Sequence, residues 1–395
     1  MQNRLRGMGA IVAALCAVAL YAGDSIPPAG GMRPMWRIGW ETSMGWVPGT
    51  NSFLEGYNLQ DKRIRNMLSG TFRTEFSFHP QSKEGQLYPG LYQGIGVGVN
   101  TFFAHSLLGT PLSLYVYQGA PIVHLNQRLW LGYEWKFGAA FGWEHHVEDS
   151  NDNNSSVSTD VTALIGLGVK LHYQLNRWRV SVGIDGTHFS NGNTSFPNAG
   201  VNAIGASIGV AYSLSAEEKG LTTSAGRVKD DIGSGDWMID VTAFGAWRKR
   251  IVSVYDDPQV CPGKFGIAGL QLSPMYRLNR HVAVGSALDL QWDEGSGLAS
   301  YWVEGSSGKE IKFNRPPFAK QLAVGVSAHA ELTAPLFAVN VGMGYNLMNP
   351  EGEKRFYQLL ALKTFVTRRA YLYTGYRLGS FKDPQNLMLG LGYRF

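Results

Sequence analysis

Apolar and polar residues alternate with a period of two through most of this chain, and that period predicts strands rather than helices. Near 35–47, Trp36, Ile38, Trp40, Met44 and Trp46 share one face, opposite Arg37, Gly39, Glu41, Ser43 and Gly45. At 129–145, Leu131, Tyr133, Trp135, Phe137, Phe141 and Trp143 oppose Glu134, Lys136, Gly138, Gly142 and Glu144. From 177 the row Trp178, Val180, Val182, Ile184 runs on through Gly186 to His188 and Ser190. Beyond the 191–200 loop, Asn202, Ile204, Ala206, Ile208, Val210, Tyr212 and Leu214 form the facing row. A histidine, a serine and an amide therefore meet at one end of a hairpin, on its apolar face.

The first half holds further strands near 66–79, 88–103, 111–124 and 157–173. The second half repeats the grammar at 236–249, 265–277, 281–293, 321–332, 336–347, 355–366, 370–379 and 386–395. The total is about sixteen. Short turns at 125–128, 175–177, 278–280, 333–335 and 367–369 alternate with long polar loops at 48–65, 104–110, 146–156, 191–200, 250–264, 294–320, 348–354 and 380–385. Short turns on one side and long loops on the other are the signature of an antiparallel transmembrane β-barrel in an outer membrane, with the long loops outside. The faces opposite the apolar rows carry Gly, Ser, Asn, Glu and Lys rather than the dense charge of a soluble exterior, which suits an apolar outside and a mixed polar interior. The favoured architecture is one enlarged barrel of about 16 strands, which avoids two membrane domains competing for assembly; two tandem 8-stranded barrels are the alternative. HYQLNRWRVSVG at 172–183 resembles MYRLNRHVAVG at 275–285, but Val180 is expected to face outward and its counterpart Ala283 inward, so no clean duplication follows.

Composition narrows the class. Charged residues are only 16% of the 395, the net charge is +5, and no dense Lys/Arg cluster occurs, so nucleic acid is not an expected partner. No later segment reaches the roughly 18 apolar residues of a membrane helix. Residues 1–22 read as a signal peptide, with Arg4 and Arg6 before an apolar run. The expected domains are then 23–214, a periplasmic linker at 215–235, and 236–395. Without the leader, Cys261 is the sole cysteine, and no internal disulfide is expected. The closing strand LMLGLGYRF ends on Phe395, like the signal that addresses bacterial outer-membrane proteins to their assembly machinery.

The elements His188-Phe189-Ser190-Asn191, Pro197-Asn198-Ala199-Gly200 and the Gly-rich strand after them resemble the PagL-type lipid A 3-O-deacylases, also grouped as acyloxyacyl-hydrolase-like outer-membrane proteins. TNSFLEG at 50–56, LYPGLYQGIGVG at 87–98 and GYEWKFGAAFGWE at 132–144 resemble a longer Bacteroidetes branch. The resemblance implies a lipid A or lipopolysaccharide partner in the outer leaflet and removal of an ester-linked acyl chain. It implies Ser190 as nucleophile and His188 as its base, with Asn191 and Gly192 as weak candidates for oxyanion support, and no cofactor or catalytic metal. Asn202 stands where the family pattern has the glutamate that orients the histidine. An amide accepts from an imidazole N–H but supplies no negative charge. Asp185 and Glu144 are expected to point inward, away from His188. The alternative is an inactive or non-enzymatic barrel serving structure, transport or surface binding, with His188, Ser190 and Asn202 as a polar rim. His145 and His146 with Glu148 and Asp149 do not make a convincing metal site, since adjacent strand residues diverge. Asn151, Asn153 and Asn154 read as solvated loop chemistry. Arg248, Lys249 and Arg250 near a strand end suit lipid phosphates.

Overall fold

The computed structural model describes residues 33–147, 151, 153–215, 235–254, 257–304, 311–350, 353–381 and 383–395. The expected signal peptide, Glu148, Asp149 and nearly all of the 215–235 linker lie outside the described residues.

The first eight strands are β1 (Met35–Trp46), β2 (Asn66–Ser77), β3 (Tyr92–Thr101), β4 (Gly109–His124), β5 (Leu129–Trp143), β6 (Val161–Leu175), β7 (Trp178–Ser190) and β8 (Val201–Ser213). Each pairs antiparallel with the next, and β8 returns to β1 from Arg37↔Ser213 to Trp46↔Ile204, closing an eight-stranded barrel. The second half supplies β9 (Trp237–Arg248), the small hairpin β10 (Ile251–Val254) and β11 (Asp257–Val260), β12 (Phe265–Arg277), β13 (Val282–Asp293), a second small hairpin β14 (Trp302–Glu304) and β15 (Ile311–Phe313), then β16 (Leu322–Thr333), β17 (Phe337–Met348), β18 (Phe356–Phe365), β19 (Ala370–Gly379) and β20 (Asp383–Arg394). Strand β9 pairs with both β12 and β20, and the order β12-β13-β16-β17-β18-β19-β20-β9 closes a second eight-stranded barrel.

The expectation of one enlarged barrel is therefore corrected to two closed ones, and the lumen chemistry gives the reason. An eight-stranded barrel is just wide enough for its own side chains to fill. In the first barrel Arg73 of β2 reaches Glu41 of β1 and, at 2.5 Å, Glu134 of β5. Lys170 of β6 pairs with the same two carboxylates, and Arg179 of β7 meets Glu75 of β2 at 2.5 Å. Of these, Arg73–Glu134, Lys170–Glu41 and Arg179–Glu75 join strands that are not neighbours, and a sixteen-stranded wall would hold such partners too far apart to touch. In the second barrel Lys363 is 2.6 Å from both Asp240 and Glu331, and Arg394 bonds both as well. A buried charge is tolerable only when paired in this way.

The outer coats are apolar. Trp40 is 51% exposed, Ile184 67% and Leu391 65%, while Arg73, Glu134 and Lys363 on the opposite faces are buried. Val180 faces outward and Ala283 is buried, which is the expected phase difference between the halves.

Loops close the long-loop end of the first barrel. A one-turn helix, Ser52–Glu55, is capped by Asn51, whose Oδ1 accepts from Leu54 N at 3.1 Å. Its Phe53 and Leu54 pack with Phe102, Leu107, Leu108 and Val157 in a buried cluster. Asn151 and Asn154 are not solvated loop residues. Both are buried, and their amides hold Leu107 O, at 3.3 Å in each case, with Asn154 also reaching Glu144 O at 3.0 Å. Unpaired backbone carbonyls are costly away from water, so these amides stitch a loop that strand alternation does not foresee. The β2–β3 connection carries the helix Lys83–Leu87, an element that the strand alternation does not foresee.

Candidate functional site

Strand β7 presents His188 and Ser190 on the lipid-facing side because the intervening Phe189 turns inward. Phe189 is fully buried and packs edge-on against Trp143 at 5.2 Å and Phe102 at 6.2 Å between ring centroids. That anchor fixes the two flanking side chains outward. In the β7–β8 register His188 lies directly opposite Asn202. Its Nδ1 is 2.7 Å from Asn202 Oδ1, an acceptor, so Nδ1 donates, and in the neutral imidazole Nε2 is then the acceptor. All three candidates are half-buried, at the long-loop end of the coat row that begins at Trp178.

Ser190 is engaged elsewhere. Asn198 Nδ2 donates to Ser190 Oγ at 3.1 Å, and Asn198 Oδ1 is 3.4 Å from the same oxygen. Asn198 Oδ1 also accepts Asn191 N at 3.0 Å. The Asn191 side chain is buried and donates to Ser158 Oγ at 3.0 Å. Gly192 takes φ +64° at the turn, and Asn191, of the two oxyanion candidates, thus spends its backbone N–H within the loop. Gly200, at φ +73°, lies against the imidazole, and a Cβ there would come within 3.0 Å of His188 Cε1. The roles of Asn198 and Gly200 are not evident from alternation, because both sit in the loop. The only sequence signal was their place in the PNAG run.

Neither inward carboxylate serves His188. Asp185 is buried in the lumen, 3.3 Å from Lys136 Nζ, and Glu144 lies past the end of β5 and is exposed rather than inward. Ser190 Oγ is held by the Asn198 amide, and His188 Nδ1 meets the neutral amide of Asn202. Among the described residues no group of three His, Cys, Asp or Glu side chains is placed to hold a metal ion. In the second barrel Ser327 Oγ lies 2.8 Å from His329 Nε2, and His329 Nδ1 lies 2.7 Å from Asn340 Oδ1. All three are buried in the lumen, with Ser327 also donating to Asp289 at 2.6 Å, so this chain braces the wall and meets no lipid.

Two closed barrels, each with an apolar coat and a polar, ion-paired interior, define an outer-membrane β-barrel protein. Residues 119–211 match the family model for lipid A 3-O-deacylase (PagL), and residues 237–395 match that for the C-terminal domain of acyloxyacyl hydrolase. These partial matches link the chain to that superfamily. No curated protein matches it. Among solved structures, a de novo designed transmembrane β-barrel is 14% identical, covering 46% of this chain and 98% of the design, at TM-score 0.23. A mutant Rhodopseudomonas blastica porin is 10% identical, covering 91% of this chain and 99% of its own, at TM-score 0.17. Omp33 of Acinetobacter baumannii is 9% identical, covering 92% and 98%, also at 0.17. Likenesses this distant carry no functional argument.

The expectation of a serine-type lipid A ester hydrolase is corrected by the geometry. A working triad needs its nucleophile on the base and a carboxylate behind the base, and converting that carboxylate to an amide costs roughly 10⁴-fold in a serine protease. Here Ser190 is tied to Asn198, and Asn202 cannot stabilise an imidazolium. The apolar coat and the superfamily match support association with membrane lipid.

Proposed function

We propose that this protein is a non-enzymatic outer-membrane β-barrel whose first unit, within 23–214, binds a glycolipid of the outer leaflet at the notch formed by His188, Ser190 and Asn202. The glycolipid is lipid A or lipopolysaccharide, as the superfamily link suggests. The single observation that carries the reading is the pairing of imidazole with amide and of hydroxyl with amide on the lipid-facing side, His188 with Asn202 and Ser190 with Asn198, with an amide and not a carboxylate behind the histidine. His188 Nε2 is left to accept a hydrogen bond from a sugar hydroxyl or an acyl amide, and Ile184 and Ile204 below it, both exposed, offer acyl chains an apolar bed. The motifs TNSFLEG and LYPGLYQGIGVG favour placing the chain in the longer Bacteroidetes branch of the superfamily. The exposed terminal Phe395 suits delivery by the outer-membrane assembly machinery, and 215–235 suits a periplasmic linker between the two halves.

Native mass spectrometry of the full chain released from mixed vesicles of lipid A and phosphatidylethanolamine tests this reading. The expected result is intact lipid A retained in preference to the phospholipid, and that preference lost in a folded His188→Leu, Asn202→Leu variant. Equal retention of both lipids by the native chain refutes it.

A further inference from the structure

At the long-loop end of the second barrel, the ends of β9, β13, β17 and β19 surround a polar cavity open to solvent. Arg248, Asp293, Asn346, Glu353, Lys354 and Arg377 line it. Among the described residues the charges there do not balance. Asp293 and Glu353 are both shared between Arg248 and Arg250. Arg377 is buried, and its guanidinium donates to Gln291 Oε1 at 3.2 Å and Asn346 Oδ1 at 2.9 Å while lying 3.7 Å over the Tyr357 ring. Among the described residues it has no carboxylate partner, and its Nε has no acceptor. The other buried cations of this barrel, Lys363, Arg394 and Arg248, each pair with a carboxylate. A buried cation held only by amides and a ring face is costly, and an anion in the cavity relieves that cost. Lys354 lies at the mouth, exposed and also without a carboxylate among the described residues.

We propose that this cavity is an anion site that takes a phosphate group, with the Arg377 guanidinium as its floor and Lys354 and Arg248 at its sides. The site belongs to the second barrel and does not depend on the β7–β8 notch. A phosphate carried by a membrane glycolipid and free inorganic phosphate share the required chemistry: a compact doubly charged group with several acceptor oxygens.

Titration calorimetry on the full chain in detergent micelles separates the sources, with inorganic phosphate in one arm and a water-soluble glucosamine phosphate in the other. Saturable binding in either arm is expected, weakening as salt is raised. Arg377→Gln weakens it about tenfold or more, as loss of one charge-assisted contact requires. Because a buried variant can fail to fold, Lys354→Gln is the companion: its side chain is exposed, so the barrel stays intact while affinity falls severalfold. Binding to the sugar phosphate alone assigns the site to a lipid headgroup, and equal binding in both arms assigns it to phosphate as such. No binding in either arm, or binding that neither variant alters, overturns the proposal.

Discussion

Replacing Arg73 with Met tests the closed, side-chain-filled lumen of the first barrel. Arg73 bonds Glu41 and Glu134, and its guanidinium lies 3.8 Å over the Tyr117 ring. Without it, Lys170 is the one cation still bonded to the two carboxylates, and Glu134 keeps the Tyr92 hydroxyl, which leaves one buried negative charge uncompensated. Removing one partner of a buried ion pair costs about 3–5 kcal/mol. The same change in a wide water-filled lumen removes an exposed pair worth about 0–1 kcal/mol. With a urea slope of about 2 kcal/mol per molar, the two cases predict midpoint shifts of about 2 M and under about 0.5 M. Hydrogen exchange with mass spectrometry during urea titration in vesicles reads the halves separately through peptides from β1–β8 and from β9–β20. Among the described residues each barrel closes on its own strands. The shift is therefore confined to the first set, and the second moves by less than about 0.5 kcal/mol. A shift under 0.5 M, or an equal shift in both sets, contradicts a side-chain-filled lumen.

Because both lumens are filled by ion-paired side chains, planar bilayer recordings are expected to show no stable open-channel conductance. Porin-sized steps contradict the packing. Ile184→Arg places a charge on the lipid-facing coat at a residue 67% exposed, and should destabilise the vesicle-inserted barrel by about 2–4 kcal/mol if it sits near the bilayer midplane. Urea midpoints in vesicles measure it, and no shift means that this face does not meet lipid. Gly200→Ala combines a left-handed backbone with a Cβ 3.0 Å from His188 Cε1. About 1–2 kcal/mol is lost and the imidazole shifts, seen as a moved His188 resonance in NMR of the labelled protein.

The strands were legible in the sequence because each wall residue obeys one rule: apolar towards lipid, polar towards the lumen. Expected spans such as 265–277 and 370–379 coincide with β12 and β19 for that reason. The number of barrels was not legible, because alternation is local while closure is set by which distant strands meet. That information resides in pairs such as Arg73 with Glu134 and Arg179 with Glu75, whose partners are 61 and 104 residues apart. Outward projection of His188 and opposition to Asn202 followed from strand register. The diversion of Ser190 to Asn198 did not, since it arises in a loop whose path is fixed by Gly192, Gly200 and the buried amide of Asn191. The inward turn of Trp143 was missed for a similar reason. Gly142, at φ +85°, breaks the alternation just before it.

We propose that the His188–Asn202 notch holds lipid without cleaving it. The most direct test is mass spectrometry of lipid A from vesicles containing the native chain, beside vesicles containing Ser190→Ala. Identical lipid A is expected from both, with every acyl chain retained. Loss of one ester-linked acyl chain with the native protein alone would contradict it.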